Sequence, residues 1–185
     1  MIAEGANILT RSMIIFGQGL NRAHPNLIKI VNTIEKGDDE KGFMKEAMGF
    51  LGHLATNLGS SLIKSVSTKL TSKSNLAEYY EAHLGRLAAN FALGSDLALV
   101  LGGKLKFEEM LSGRLADAFG TLYLGYACLW FYKQNKSVEG IDAVFEMAME
   151  SILKQNQEAL RGVGENFPVP AIGPLIKYLS FPLGS

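Results

Sequence analysis

Few residues in this chain have the type and spacing that chemistry needs. There are three histidines, His24, His53 and His83, and one cysteine, Cys128. The histidines lie far apart, and none has a second histidine or a carboxylate at the spacing that would set two metal ligands on one helical face. No Glu-x-x-His pair occurs, which removes the ligand pattern of a di-iron bundle. Cys128 stands between Ala127 and Leu129 without a basic neighbour, the setting of a packed thiol rather than a nucleophile. Gly17-Gln18-Gly19 lacks the third glycine of a dinucleotide fingerprint and follows a helical stretch instead of a strand. Glu108-Glu109 and Asp38-Asp39-Glu40 fall near helix starts, where the dipole alone favours carboxylates. Arg114 and Asp117 have the spacing of an intrahelical ion pair, worth a few tenths of a kcal/mol when exposed.

The elements that must position these residues follow from composition and periodicity. A chain of 185 residues, with 48% hydrophobic and 19% charged residues, can bury one substantial core. Its 18 basic and 18 acidic residues leave no net charge, which argues against a nucleic-acid partner held by long-range attraction. A single cysteine implies a reduced, cytoplasmic setting. Glu4 and the lack of a basic region ahead of an apolar run set the N-terminus apart from a signal peptide. The most apolar stretch, 87–103, is interrupted by Asn90, Ser95 and Asp96 and reads as a buried helix rather than a membrane span.

Apolar residues recur at helical spacing, with no sustained alternation of the kind a half-buried strand needs, so the expected fold is an all-α bundle of about five to seven helices. Helices are expected over 7–19, 26–35, from about 40 to the polar run 67–74, over 76–101, from about 107 to 134, from about 138 to 164, and over 172–180. His24-Pro25 breaks the first pair, and Gly37-Asp38-Asp39 turns into the third helix. Phe43, Ala47, Leu51, Leu54, Leu58 and Leu62 form the core-facing stripe of that third helix. Asn75 caps the next, whose second half is apolar nearly all round, and Gly102-Gly103 ends it. Phe107, Leu111, Leu115, Ala118, Leu122 and Tyr126 form the following stripe. Ser137 caps the last long helix, with Ile141, Phe145, Ala148, Ile152 and Leu160 inward. Glycines 49, 52, 59, 113 and 120 each cost about 1 kcal/mol inside a helix, and close approach of neighbouring helices is the expected compensation.

Three segments carry a family resemblance. The opening Ile2-Ala3-Glu4-Gly5-Ala6-Asn7-Ile8-Leu9-Thr10-Arg11 resembles the part of acyl-CoA dehydrogenases in which a Glu-Gly pair precedes the last helix of the catalytic fold. LGSDLALVLGGKLKFEEMLSGRLADAFGTLYL, at 93–124, and ENFPVPAIGPLIKYLSFPLGS, at 165–185, look like the C-terminal extension of bacterial long-chain acyl-CoA dehydrogenases of the FadE type. So does ANILTRSMIIFGQG with the His24-Pro25 that follows. The matches are dispersed, in register, and cover nearly the whole chain.

The resemblance implies that Glu4 is the general base that removes the α-proton of an acyl-CoA thioester, while the β-hydrogen leaves as hydride to FAD. Such a proton is weakly acidic, so its base must be desolvated and brought near the acidity of the activated substrate. Gly5 corresponds to the residue that lies against the thioester, and Arg11 to a recurring arginine of the next helix. Ala6 and Ile8 occupy flavin-contacting positions, Ala6 where many members carry threonine and Ile8 where they carry a polar residue. By the same likeness, 1–37 ends the catalytic helical domain and 38–185 is a helical extension. The family's domains that hold most of the flavin and acyl-CoA contacts are upstream, so this chain is expected neither to bind FAD nor to turn over alone. That fits either a chain deliberately cut short or a split or degraded gene. Acyl-CoA and electron-transferring flavoprotein are the partners implied for the whole enzyme. A second expectation, of another class, makes 38–185 a noncatalytic module for homodimerisation or for docking on a partner or the inner membrane.

Overall fold

The computed structural model describes residues 27–36 and 40–180, together with positions 7, 10 and 19. Among the described residues every regular element is helical: α1 Leu27–Lys36, α2 Glu40–Ser67, α3 Leu76–Leu99, α4 Glu109–Gln134, α5 Ile141–Glu165 and α6 Ile172–Ser180. Short 3-10 turns occupy Thr68–Leu70 and Gly102–Phe107. The fold is thus the expected all-α bundle. The helix expected over 7–19, the His24-Pro25 break and the Gly37-Asp38-Asp39 turn fall outside the described residues, apart from the isolated positions.

Local signals set most of the boundaries. Asn75 caps α3, its Oδ1 accepting from the Glu78 N–H at 3.5 Å. α3 stops at Leu99, and Gly102 supplies the left-handed residue, φ 55°, just beyond it. The start of α5 corrects one expectation, because Ser137 does not cap it. Two successive turns, Val138 N–H to the Asn135 carbonyl and Ile141 N–H to the Val138 carbonyl, fill the connection instead. They deliver the chain to Gly140 at φ 76°, and this glycine is the cap residue, with no side-chain hydrogen bond.

α3 is the central helix, packed against α2, α4, α5 and α6, while α4 and α5 make the most extensive single interface. Its first half joins α4 and α5 around Tyr80, Leu84, Leu87, Leu122, Phe145 and Met149. Its second half, buried at every position from Leu93 to Leu99, joins α4, α5 and α6 around Leu93, Leu115, Val163 and Ile176. Tyr132 stacks on Phe145 with centroids 4.0 Å apart, and Tyr80 meets the same ring edge-on. Full burial of a leucine such as Leu84 or Leu93 stabilises the fold by about 1.5–3 kcal/mol.

Two expected stripes are only partly inward. Leu54 and Leu58 of α2 pack on the core, but Phe43 and Leu51 are 42% and 55% exposed. His53 of α2 lies beside Asp96, close to the end of α3, so the first turns of α2 run past α3 and pack with α1 instead. In α4 the stripe holds from Leu111 to Leu122, whereas Phe107 precedes the helix in a 3-10 turn and Tyr126 is 43% exposed.

The glycine expectation also needs correction. A Cβ at Gly52, Gly59 or Gly120 would meet nothing, so no close approach requires glycine there. Tight contact occurs elsewhere. A Cβ on Gly125 would strike Leu84, one on Gly162 would strike the Arg114 side chain, and Gly164 and Gly173 bring the backbones of α5 and α6 directly together.

Candidate functional site

The residues singled out for chemistry, Glu4, Gly5, Ala6 and Ile8, lie outside the described residues, as do Arg11 and His24. Among the described residues the side chains that could act chemically gather along two helix seams. One of them was not anticipated.

That seam joins α2 to α3. His53, Asn57, Ser61 and Ser65 recur every four residues along α2 and Thr68 follows in the 3-10 turn, a polar stripe facing a helix that is otherwise mostly apolar on this side. Asp96, only 3% exposed, receives two of them: His53 Nδ1 lies 3.0 Å and Asn57 Nδ2 2.8 Å from its Oδ2. Asn57 donates to that oxygen through its amide and also lies 3.2 Å from His53 Nδ1, so the amide and the imidazole share one carboxylate oxygen. Further along, Ser61 donates to Asn90 Oδ1 at 2.6 Å, and Thr68 Oγ1 donates to the Lys64 carbonyl at 2.6 Å. The arrangement orients one imidazole against a buried carboxylate and holds two helices in register. The sequence signal was a lone acid, Asp96, inside an apolar run.

On α3, burial decides the electrostatics. Burial, helped by the neighbouring Arg86 guanidinium, lowers the His83 pKa from 6.5 to about 4. Burial lowers Arg86 as well. Burial pushes the Tyr80 phenol up to about 12, with Glu150 and Glu146 adding to the rise and Lys73 opposing it. Among the described residues, Tyr80 Oη, His83 Nδ1 and Arg86 Nε are buried and meet no hydrogen-bond partner. His83 is therefore neutral at pH 7, and the Tyr80 phenol keeps its proton.

The other seam is the α4–α5 interface. Asn156, 1% exposed, donates to the Ala118 carbonyl at 2.6 Å and to Thr121 Oγ1 at 2.7 Å. Beside this bridge a groove of about 610 Å³ is lined by Arg114, Asp117, Thr121, Gln155 and Glu158 among others. A second groove, of about 430 Å³, continues beyond Leu124 and is walled by Ala127, Cys128, Phe131, Ile141 and Val144. Cys128 is half-buried and packs against the core, as expected of a structural thiol. Arg114 lies over Gly162 of α5, where its side chain serves the contact between the helices. No cluster of three or more His, Cys, Asp or Glu side chains suited to a metal occurs among the described residues.

The sequence that builds these helices matches a known family. The family model described as acyl-CoA dehydrogenase, C-terminal, bacterial type, matches residues 21–185. The chain belongs to this family. No solved structure matches the chain. The match spans both seams and both grooves, so the α2–α3 strap and the α4–α5 interface are features of an acyl-CoA dehydrogenase C-terminal domain. Glu4, Gly5, Ala6 and Ile8 precede the matched residues.

Proposed function

We propose that this chain is the C-terminal part of a flavin-dependent acyl-CoA dehydrogenase of the long-chain type, which converts acyl-CoA to trans-2-enoyl-CoA in fatty-acid β-oxidation. The family match over 21–185 carries the reading, and the Glu4-Gly5 pair ahead of it supplies the chemistry. In this reading 1–37 ends the catalytic helical domain, and 38–185 is an extension packed on the dehydrogenase body, in a cytoplasmic enzyme that passes its electrons to an electron-transferring flavoprotein.

Glu4 takes the α-proton of the thioester onto its carboxylate. Gly5, lacking a Cβ, lets the backbone lie against the thioester. FAD, when bound, supplies the acceptor for the β-hydrogen. The described residues do not fit that group: the larger groove sets the carboxylates of Asp117 and Glu158 against the single guanidinium of Arg114, and the smaller is walled by apolar side chains. A diphosphate would be repelled in the first and left without donors in the second. In this reading neither groove holds the flavin, and the purified 185-residue chain is expected to be colourless.

Replacing Glu4 by glutamine in the complete enzyme tests the assignment. Turnover should fall by about 10²–10⁴-fold while flavin absorbance is retained. Activity close to that of the parent would remove Glu4 from the role. The second reading, a noncatalytic helical module, is favoured by one observation, the apolar outer surface of α4.

A further inference from the structure

We infer that Arg86 anchors an oxyanion site on the face of α3 that carries Tyr79, His83 and Arg86, and that its ligand is a small phosphate or carboxylate. This inference does not rest on the catalytic role of Glu4.

The bundle pairs its cations where pairing contributes least. Lys73, at the surface, meets Glu146 and Glu150, and Lys133, also at the surface, meets Glu81 at 2.7 Å. Arg86 is the reverse case. It is 6% exposed, and among the described residues its guanidinium forms neither an ion pair nor a hydrogen bond. A long cationic side chain can bury its stem and keep its head in water, but here Nε itself is enclosed. Burial lowers the pKa of Arg86, yet a guanidinium keeps its proton in proteins, so the group stays a cation. A buried charge is strongly unfavourable until an opposite charge joins it.

The neighbours supply donors rather than that opposite charge. Spacings of four and three residues set Tyr79, His83 and Arg86 on one face of α3, and the Tyr79 and His83 rings lie 4.4 Å apart, centroid to centroid. His83 Nδ1 is buried as well and meets no partner among the described residues. With its pKa lowered to about 4, the imidazole is neutral at pH 7 and offers an N–H. Glu146 and Glu150, the carboxylates that act on Tyr80 at this end of α3, are held by Lys73.

This donor set selects the ligand. A guanidinium presents N–H groups in a planar fork that matches two oxygens of a phosphate or a carboxylate. An apolar or cationic ligand would leave the charge as it stands. Arg86 exposes too little surface for a protein segment to lie across it, which favours a small anion over an acidic stretch of another chain.

Thermal denaturation of the 185-residue chain at pH 7, in chloride, phosphate or acetate at constant ionic strength, is the direct test. Phosphate or acetate should raise the midpoint above that in chloride and then saturate, and the anion that acts at the lower concentration identifies the class. Arg86→Met keeps the length and loses the charge. Its midpoint in chloride should equal or exceed that of the parent, and half of the anion effect should need a concentration at least about tenfold higher. If Arg86→Met does not fold, Arg86→Lys, which keeps the charge without the fork, should show the weakening instead. Phosphate should also raise the titration midpoint of the His83 ring protons in the parent and leave it unmoved in the variant. Equal midpoints in the three salts overturn the inference. So does a rise that never saturates, the mark of general salt exclusion, or a folded variant that responds as the parent does.

Discussion

The two sides of α3 are built on different principles. Towards α4 and α5 it presents Tyr80, Leu84 and Leu87, each 1% exposed or less, in a closely packed apolar core. Towards α2 it meets a polar seam in which Asp96 and Asn90 receive His53, Asn57 and Ser61. The apolar side supplies non-directional stabilisation in proportion to area. The polar side adds little net energy, since hydrogen bonds to water are lost in making it, but it penalises any shift in register by stranding buried polar atoms. One side makes the helices associate; the other fixes where α2 sits along α3.

This contrast can be broken in graded ways. The largest effect should come from Leu84→Ala, which removes side-chain atoms fully enclosed by three helices. A loss of about 2–5 kcal/mol in urea denaturation is expected, and a loss below 1 kcal/mol would mean that the core relaxes far more than its packing implies. Asp96→Ala should cost about 1–3 kcal/mol by leaving His53 and Asn57 without the carboxylate oxygen they share. A double-mutant cycle between His53 and Asp96 would separate the pair from the rest of the seam.

A smaller effect should come from pH. Neutral His83 is favoured in the folded state, with its pKa lowered from 6.5 to about 4. The unfolded chain takes up its proton first as pH falls, so this contribution is full above about pH 6.5 and is lost progressively from there towards pH 4. Denaturation midpoints at pH 7 and pH 4.5 should differ less in His83→Gln than in the parent, by on the order of 1–2 kcal/mol. An identical pH slope in both would locate the acid sensitivity elsewhere. The smallest effect should be that of Lys133→Ala, which removes an exposed ion pair to Glu81 at 2.7 Å and should change stability by no more than about 0.5 kcal/mol.

How much of this was legible depended on the range of the interaction. Local signals were read well: the Asn75 cap, the glycine stop after α3 and the inward stripe from Leu111 to Leu122 each arise within one or two turns of chain. The His53–Asp96 pair was missed because the two residues are 43 positions apart, and helical periodicity says nothing about which helices become neighbours. The same ignorance misplaced Phe43 and Leu51, whose spacing is right for a buried face that α2 does not meet at that end. Tight glycine contacts, at Gly125 and Gly162, were likewise invisible, because a close approach belongs to the opposing helix. Glu4, Gly5, Ala6 and Ile8 came from likeness to a family rather than from periodicity, and their positions lie outside the described residues.

The contact of Gly164 with Gly173 has a consequence for what sequence variation the bundle can absorb. Across most of the core, hydrophobic residues of similar volume can be exchanged at modest cost. Where α6 docks on α5, a Cβ on Gly173 would run into the Gly164 carbonyl and one on Gly164 would press on the Gly173 carbonyl, so neither site can be relieved by turning a side chain. These two positions are restricted by thickness alone. In a survey of all substitutions they would stand out as intolerant even of alanine, with the appearance of active-site residues, although neither bears a side chain that could touch a substrate.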